Sequence, residues 1–349
     1  IIVNGDMAIA QRSSSTVAQA DDSNEGFATV DRFMLKFGNN AGGTITTSRD
    51  TTAPTGFGQS VKLNVTGADT SVAATHIVEF TQPIEAQVIR NSGWDYTSSS
   101  SYITLSFQIR SSKTGTYCVY FQTLDGTSYM YTAEYTISSA DTWEQKVITV
   151  PGNSNLQFDN NANVGFRVGW ILAVGSSRYG TAGSWTTGSA YGTSNNVNFL
   201  DSTDNIAYIT GVQLEVGQYT SSTLPSFQHE SFGDNLLRCK RYYQHIVDGN
   251  HKLISYAHWA SGSQVTFILN TTEMRDVPTL DYDNGNDYWG IGGAGGSTNT
   301  LDNLIIDGYS TNKCIGLYSG TGSGGTTGYA YYGFSDNASA RLALTSEIE

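Results

Sequence analysis

The chain has 349 residues and a formal charge of −13, and charged residues make up only 14% of it, against roughly 25% in an ordinary globular chain. Acidic residues outnumber basic ones both in 1–229 (18 to 11) and in 230–349 (13 to 7), so neither part offers the clustered lysine and arginine that nucleic acid requires. No apolar run approaches the roughly 18 residues of a spanning helix, which argues against membrane insertion.

A chain with 38 glycines, 21 tyrosines and so few charges has the palette of a pleated sheet and lacks the Glu, Lys, Leu and Ala runs of long helices. It opens "IIVNGDMAIAQ", with no initiator methionine and no signal peptide, so we expect a fragment with further sequence upstream. Strand patterns follow at short intervals: "SVKLNVTG" at 60–67, "HIVEFTQPI" at 76–84, "YITLSFQIRSS" at 102–112, then "GTYCVYFQTLDG", "SYMYTAEYTIS", "WEQKVITVPG", "NVGFRVGWILAVG" and "AYITGVQLEVG". In the third, Ile103, Leu105, Phe107 and Ile109 share one face and Tyr102, Thr104, Ser106 and Gln108 the other, as in a strand with one dry and one wet side. Turn clusters such as "LDGT", "SSAD" and "VPGNSN" separate the runs. Such spacing indicates a sandwich or barrel, with first and last strands side by side as in a jelly roll.

Two loops of the first part carry rings that suit a sugar face: Trp94 and Tyr96 in "NSGWDYTSSS", and Tyr179, Trp185 and Tyr191 in the Ser/Thr/Gly-rich stretch 176–198, with Arg178 as a further stacking plane. Long loops of this kind are often functional, and an aromatic ring with amides at its rim is what sugar recognition uses. The competing reading is that each ring packs onto its own sheet. Trp143 and Trp170, inside strand patterns, are assigned to a core.

After residue 229 the pattern changes. "SFGDNLLRCKRYYQ" predicts a short helix at about 233–240 with Asp234 as N-cap, dividing a domain at 1–229 from one at 230–349. Strands resume with "HKLISYAHW", "QVTFILN", "NLIIDGY", "KCIGLYS", "YAYYGFS" and "ARLALTSEI". Between them "DYDNGNDYWGIGGAGGSTN" at 281–299 gathers Asp281, Asp283, Asn284, Asn286 and Asp287 with Tyr288 and Trp289. Its glycine stands at the fifth position, not the sixth that a calcium loop needs, so we read a hairpin with "NG" turn chemistry whose tip is a contact surface. Tyr256, His258 and Trp259 form a further aromatic cluster, read as packing.

Cys118, Cys239 and Cys314 match neither a disulfide framework nor a metal knuckle and are read as small buried hydrophobes. The five histidines form no HxH or HExxH pattern, the carboxylates no paired signature, and there is no GxSxG elbow or Walker loop. We expect no enzyme and no cofactor.

"IIVNGDMAIAQR" with "FATVDRF", "FQIRSSKTGTYCVYFQ", "AEYTISSADTWEQKVITVPG" and "YITGVQLEVGQYTSSTLPSFQHESFGDNLLRCKRYYQ" resemble the jelly-roll module of bacteriophage tail-fibre and related adhesion proteins. "TTEMRDVPTL" and "GYAYYGFSDNASARLALTSEIE" are similar to that family's C-terminal tip domain. The "NGD" start and the "YI..V.LE" strand also look like those of jelly-roll carbohydrate-binding modules. The resemblance implies an all-β chain of two jelly-roll-like β-sandwich domains joined by a short helical hinge. It implies a homotrimeric virion appendage, joined to other virion proteins through an absent N-terminal part and holding host surface polysaccharide. It also implies a calcium between these segments, for which Asp6 and Glu215 are the matching ligands, while Thr210 and Gly211 replace an acidic pair. In a trimer the hinge would pack Leu236, Leu237 and Cys239 against other chains and pair Arg238, Lys240 and Arg241 with their acidic surfaces; a linker capping its own core is the plainer alternative. The expected function is non-enzymatic adhesion to host glycan, and the alternative a structural decoration or baseplate component making protein contacts only.

Overall fold

The computed structural model describes residues 1–21, 24–261, 264–283, 285–293, 298–320 and 330–348. Strands dominate it, and it divides into two compact units, Ile1–Asn235 with Ile348–Glu349, and Leu236–Glu347.

The first unit is built from β1 (Val17–Gln19), β2 (Met34–Gly38), β3 (Thr44–Asp50), β4 (Ser60–Gly67), β5 (Ile77–Glu85), β6 (Tyr102–Ser111), β7 (Gly115–Thr123), β8 (Tyr129–Ile137), β9 (Glu144–Pro151), β10 (Val164–Val174), β11 (Trp185–Thr187) and β12 (Ile206–Val216), with one short helix, α1 (Ala86–Arg90). Among the described residues they form two six-stranded antiparallel sheets: a front sheet in the order β1-β3-β4-β12-β6-β9 and a back sheet in the order β11-β8-β7-β10-β5-β2. This is a β-sandwich of jelly-roll type. The alternation in β6 sends Ile103, Leu105, Phe107 and Ile109 into the core between the sheets. There Phe107 meets Trp170 of β10 edge-on at 5.4 Å, a favourable aromatic geometry.

The first strand does not pair with the last. β1 pairs with β3, and the non-strand segment before β1 runs against β12 instead. Val212 N donates to Gly5 O at 2.9 Å beside a bulge, where Gly211 (φ 62°) and Val212 interrupt the register between Thr210 and Gln213. The bulge lets Ile209 and Val212 both face the core. Asn4, in the left-handed region at φ 59°, locks the turn by donating to Ile9 O and Asp31 O and accepting from Ile9 N, at 2.9 to 3.0 Å.

The helix α2 (Phe232–Lys240) falls where it was expected, but its cap differs. Asp234 is not the N-cap. Ser231 Oγ accepts from Asp234 N at 3.1 Å while donating to the Asp234 carboxylate at 2.6 Å, a capping-box arrangement with the acid three residues inside.

The second unit contains β13 (Tyr243–Asp248), β14 (Leu253–Trp259), β15 (Val265–Asn270), β16 (Thr279–Tyr282), β17 (Trp289–Gly292), β18 (Thr298–Leu301), β19 (Ile305–Ile306), β20 (Cys314–Ser319), β21 (Ala330–Ser335) and β22 (Arg341–Thr345). Among the described residues, a three-stranded sheet (β13-β22-β16) and a seven-stranded sheet (β18-β17-β21-β14-β15-β20-β19) enclose one core. The NG turn expected at 281–299 does not join a hairpin: β16 pairs with β22 in one sheet and β17 with β21 in the other, and the antiparallel pairing made within this stretch is that of β17 with β18. Asp281 and Asp283 hold Arg341, at 2.7 and 3.3 Å, and Asn284 lies outside the described residues. β14 alternates, with Ala257 and Trp259 inward and Tyr256 and His258 outward. Cys118 and Cys239 are buried as expected, whereas Cys314 is exposed.

Candidate functional site

Most of the loop aromatics are spent on packing. Trp94 is buried against Tyr96, Phe158 and Phe166, with its indole N–H donated to Ser101 O at 3.3 Å. Tyr96 is half-buried on Phe158 at 4.9 Å. Trp185 sits in edge strand β11, donates to Pro151 O at 2.7 Å and packs on Tyr131. Tyr191 lies edge-on against Tyr120 at 5.1 Å. Trp289 is fully buried and Tyr288 half-buried. The buried rings of Trp94 and Trp289 therefore have no face to give a sugar. Of the seven, Tyr179 is the most open, at 40%.

The physical reason is that the 176–198 loop is stitched down over the back sheet. Thr132 donates to Ala190 O and Thr193 to the Glu134 carboxylate, while Val197 N reaches Thr116 O at 2.9 Å and Cys118 N reaches Asn196 Oδ1 at 2.8 Å. Ile77, Cys118, Tyr120, Met130, Ile171 and Val174 make a second small core there, with Tyr191 packed on it. Burial raises the pKa of the Glu79 carboxyl beside Tyr120, with Arg167 acting in the opposite direction.

The outer face of the front sheet is different. Ser106 and Gln108 of β6, Gln145 of β9, and Gly211 and Gln213 of β12 form the floor of a groove of about 320 Å³, walled by Phe57 and by residues 221–227. Long-range pairing assembles the floor: Gln108 stands opposite Gln145 on one side and Thr210 on the other, and Ser106 opposite Gln213. The wall is the chain leaving β12, strapped back across the sheet. Thr104 Oγ1 donates to Gly217 O at 2.7 Å, Thr149 Oγ1 to Tyr219 O at 3.2 Å, and Gln213 Nε2 to Pro225 O at 3.0 Å. Phe57, Phe227 and His229 form a ring cluster with centroids 4.9 to 5.2 Å apart. Gly211 is needed beneath it, because a Cβ there would lie 2.7 Å from Phe57 Cζ. The side-chain amides of Gln108 and Gln145 have no hydrogen-bond partner among the described residues.

One step further along the same face is a mixed row. Tyr208 of β12 is opposite Lys62 of β4 and Arg110 of β6, with Lys62 Nζ 5.9 Å and Arg110 Cζ 5.4 Å from its ring centroid and the Trp143 ring at 6.3 Å. Trp143 is thus half-buried on the outer face, not in the core to which its strand pattern assigned it, whereas Trp170 is in the core. The wet side of β6 was readable from its alternation; its neighbours on β9 and β12 were not, because pairing between strands so far apart in sequence leaves no local signal.

The two calcium candidates have these neighbours. The Asp6 carboxylate accepts from Ala8 N at 3.3 Å and from the Asn235 side-chain amide at 3.0 Å, while Glu215 stands opposite Thr104 on β12. Among the described residues no group of three His, Cys, Asp or Glu is arranged to hold a metal ion. Asn235 supplies a donor to the Asp6 carboxylate. Of the hinge residues, Leu237 is 55% exposed, Leu236 and Arg238 half-buried and Cys239 buried. The Arg241 carbonyl accepts from Arg275 N at 2.7 Å and Ser346 Oγ at 3.1 Å.

No protein-family model matches the chain and no curated protein sequence matches it. Among solved structures it is similar to the enzymatically active domain of tailspike protein 4 of bacteriophage CBA120, at 15% identity and TM-score 0.29, over 62% of this chain and 21% of that one. It is also similar to the family 11 carbohydrate-binding module of the Clostridium thermocellum cellulase Lic26A-Cel5E, at 12% identity and TM-score 0.30, over 60% and 99%. The tandem CBM22 domains of Paenibacillus barcinonensis Xyn10C match at 8% identity and TM-score 0.28, over 97% and 100%. The chain spans about a fifth of the tailspike domain, and at these scores the likenesses carry nothing about binding or catalysis.

Proposed function

We propose that this chain is a non-enzymatic glycan-binding module of a bacteriophage virion appendage, gripping host surface polysaccharide in the front-sheet groove. The observation that carries the reading is the groove itself, where the Gln108 and Gln145 amides, without hydrogen-bond partners among the described residues, lie beside the Phe57 and Phe227 rings. Side-chain amides match the donor and acceptor rim of a sugar, and rings match its apolar face. Among the described residues no carboxylate lines the groove, and glycoside hydrolysis by its usual route needs two, which supports binding without cleavage. The virion setting, the trimer and the other virion partners are proposed on the sequence resemblance; three weak sites per appendage would reinforce one another.

The test is electrophoresis through gels containing the host's envelope polysaccharide, with the polymer's chain length followed by size chromatography. We expect retardation of the protein, weakened roughly tenfold by Gln108→Ala with Gln145→Ala, the worth of one or two hydrogen bonds, and unchanged polymer length. Retardation untouched by the double substitution would move the site elsewhere, and shortened polymer would make the protein an enzyme.

A second reading has an observation of its own. The outer face of the seven-stranded sheet exposes Leu253 (66%), Tyr256 (83%), Ile268 (56%) and Tyr332 (45%), and apolar surface of this kind marks contact with other proteins. A structural component making protein contacts only would show no retardation in any polysaccharide gel.

A further inference from the structure

We infer that the bound saccharide is acidic: Lys62 and Arg110, bracketing Tyr208 at the end of the groove, receive a sugar carboxylate while Gln108 and Gln145 hold the adjoining sugar. This inference rests on the groove being the glycan site. In a chain with 18 basic against 31 acidic residues, two cations converge on the Tyr208 ring beside the groove; a second such pair, Arg12 and Arg32 on Phe27, has its Arg32 buried. Lys62 forms no ion pair or hydrogen bond with a described residue; its neighbour is the Tyr208 ring. Arg110 is fixed from one side, with Nε donating to Asp141 O at 2.8 Å and Nη2 in an ion pair with Asp141 Oδ1 at 3.3 Å, which leaves Nη1 without a hydrogen-bond partner among the described residues. The Tyr208 ring holds both cations in place by cation–π attraction, which leaves the Lys62 charge without a counter-ion among the described residues, while Arg110 has the exposed Asp141 carboxylate on one side.

Register makes the row part of the groove. Arg110 is two residues from Gln108 on β6, and Tyr208 two from Thr210 on β12, so Arg110 and Gln108 point to the same side about 7 Å apart, with Lys62 two strands across on the far side of Tyr208. Trp143 closes the row beside Tyr208 and offers half-buried ring surface to the same sugar. A carboxylate placed over the row would accept charge-assisted hydrogen bonds, the stronger kind, where a neutral sugar would leave the Lys62 ammonium unanswered.

The experiment uses the full chain and a panel of purified bacterial envelope polysaccharides, neutral and uronate-containing, each compared before and after carboxyl reduction. We expect retention by uronate-containing polymers, roughly tenfold weaker after reduction, and falling with salt as screening shortens the reach of charge. Lys62→Gln with Arg110→Gln should give a similar loss towards the acidic polymer and none towards a neutral or reduced one, which separates lost recognition from lost folding. Equal binding of native and reduced polymers, or a variant weakened equally towards both, would overturn the acidic assignment and leave glycan binding standing. Binding to none of the panel would instead remove the glycan reading itself.

Discussion

Replacing Gly5 with alanine should destabilise the first unit by about 3 kcal/mol, because the space for a side chain is already filled by backbone. A Cβ at Gly5 would lie 2.0 Å from the Val212 carbonyl oxygen and 3.1 Å from its carbon. The N-terminal turn and β12 would have to part by roughly 1.4 Å to restore ordinary van der Waals contact. That movement breaks the 2.9 Å bond from Val212 N to Gly5 O and loosens the three bonds that Asn4 makes next door. A buried hydrogen bond lost with its partner stranded costs ~1–3 kcal/mol, so one lost and the rest weakened gives about 3. For a domain of this size each kcal/mol shifts Tm by about 2–4 °C, so the drop should be roughly 6–12 °C. Tryptophan fluorescence melts report mainly on this unit, which holds Trp94, Trp143, Trp170 and Trp185 while the second holds Trp259 and Trp289. Gly58→Ala is the control, since a Cβ there meets nothing within 4 Å. If the two variants melted together, the close approach of turn and strand would not be the constraint described.

Two more substitutions probe other features. Gly211→Ala places a Cβ in a left-handed backbone at φ 62° and against Phe57, so urea unfolding should show ~1–2 kcal/mol of destabilisation and polysaccharide retention should fall as the groove wall is displaced; full retention would detach Phe57 from the site. At Asp201, burial raises the carboxyl pKa but the Lys113 ammonium and the Asn205 amide more than offset it, holding it below the ordinary 3.8. The stability this supplies is present above 3.8 and lost as pH falls through the depressed value. Asp201→Asn should therefore lower Tm at pH 6 and converge with the parent towards pH 2, and a gap that stays constant with pH would refute the linkage.

The strands were legible because burial on one side of a sheet imposes a period of two on the sequence, and "YITLSFQIR" carries it into the observed core residue by residue. The short helix was legible from a break in that period, though its cap was misassigned by three residues because Ser231 and Asp234 both have capping chemistry. The groove was half legible. Its β6 residues sat on a face already marked as wet, but Gln145 and Gln213 join it only through pairings across dozens of residues. The loop aromatics misled for the converse reason. A run of Ser, Thr, Gly and Asn reads as solvated, yet its hydroxyls and amides are what fasten it to the back sheet. Fixed in this way, it half-buries Trp185 and Tyr191, rings that composition alone would leave in water.

The strap that walls the groove is also the only covalent path from β12 to α2, so any tension entering the first unit from its C-terminal side travels along that wall. Asn235 intercepts it. Its amide is bonded to Asp6 at 3.0 Å and lies 3.4 Å from the Asn4 side chain, and Asn4 is in turn fastened to Ile9 and Asp31. A pull along the chain is thus taken up by the N-terminal turn before it reaches Pro225 and Phe227. The end of the strap and the N-terminal turn are fastened at one point, the Asn235 amide.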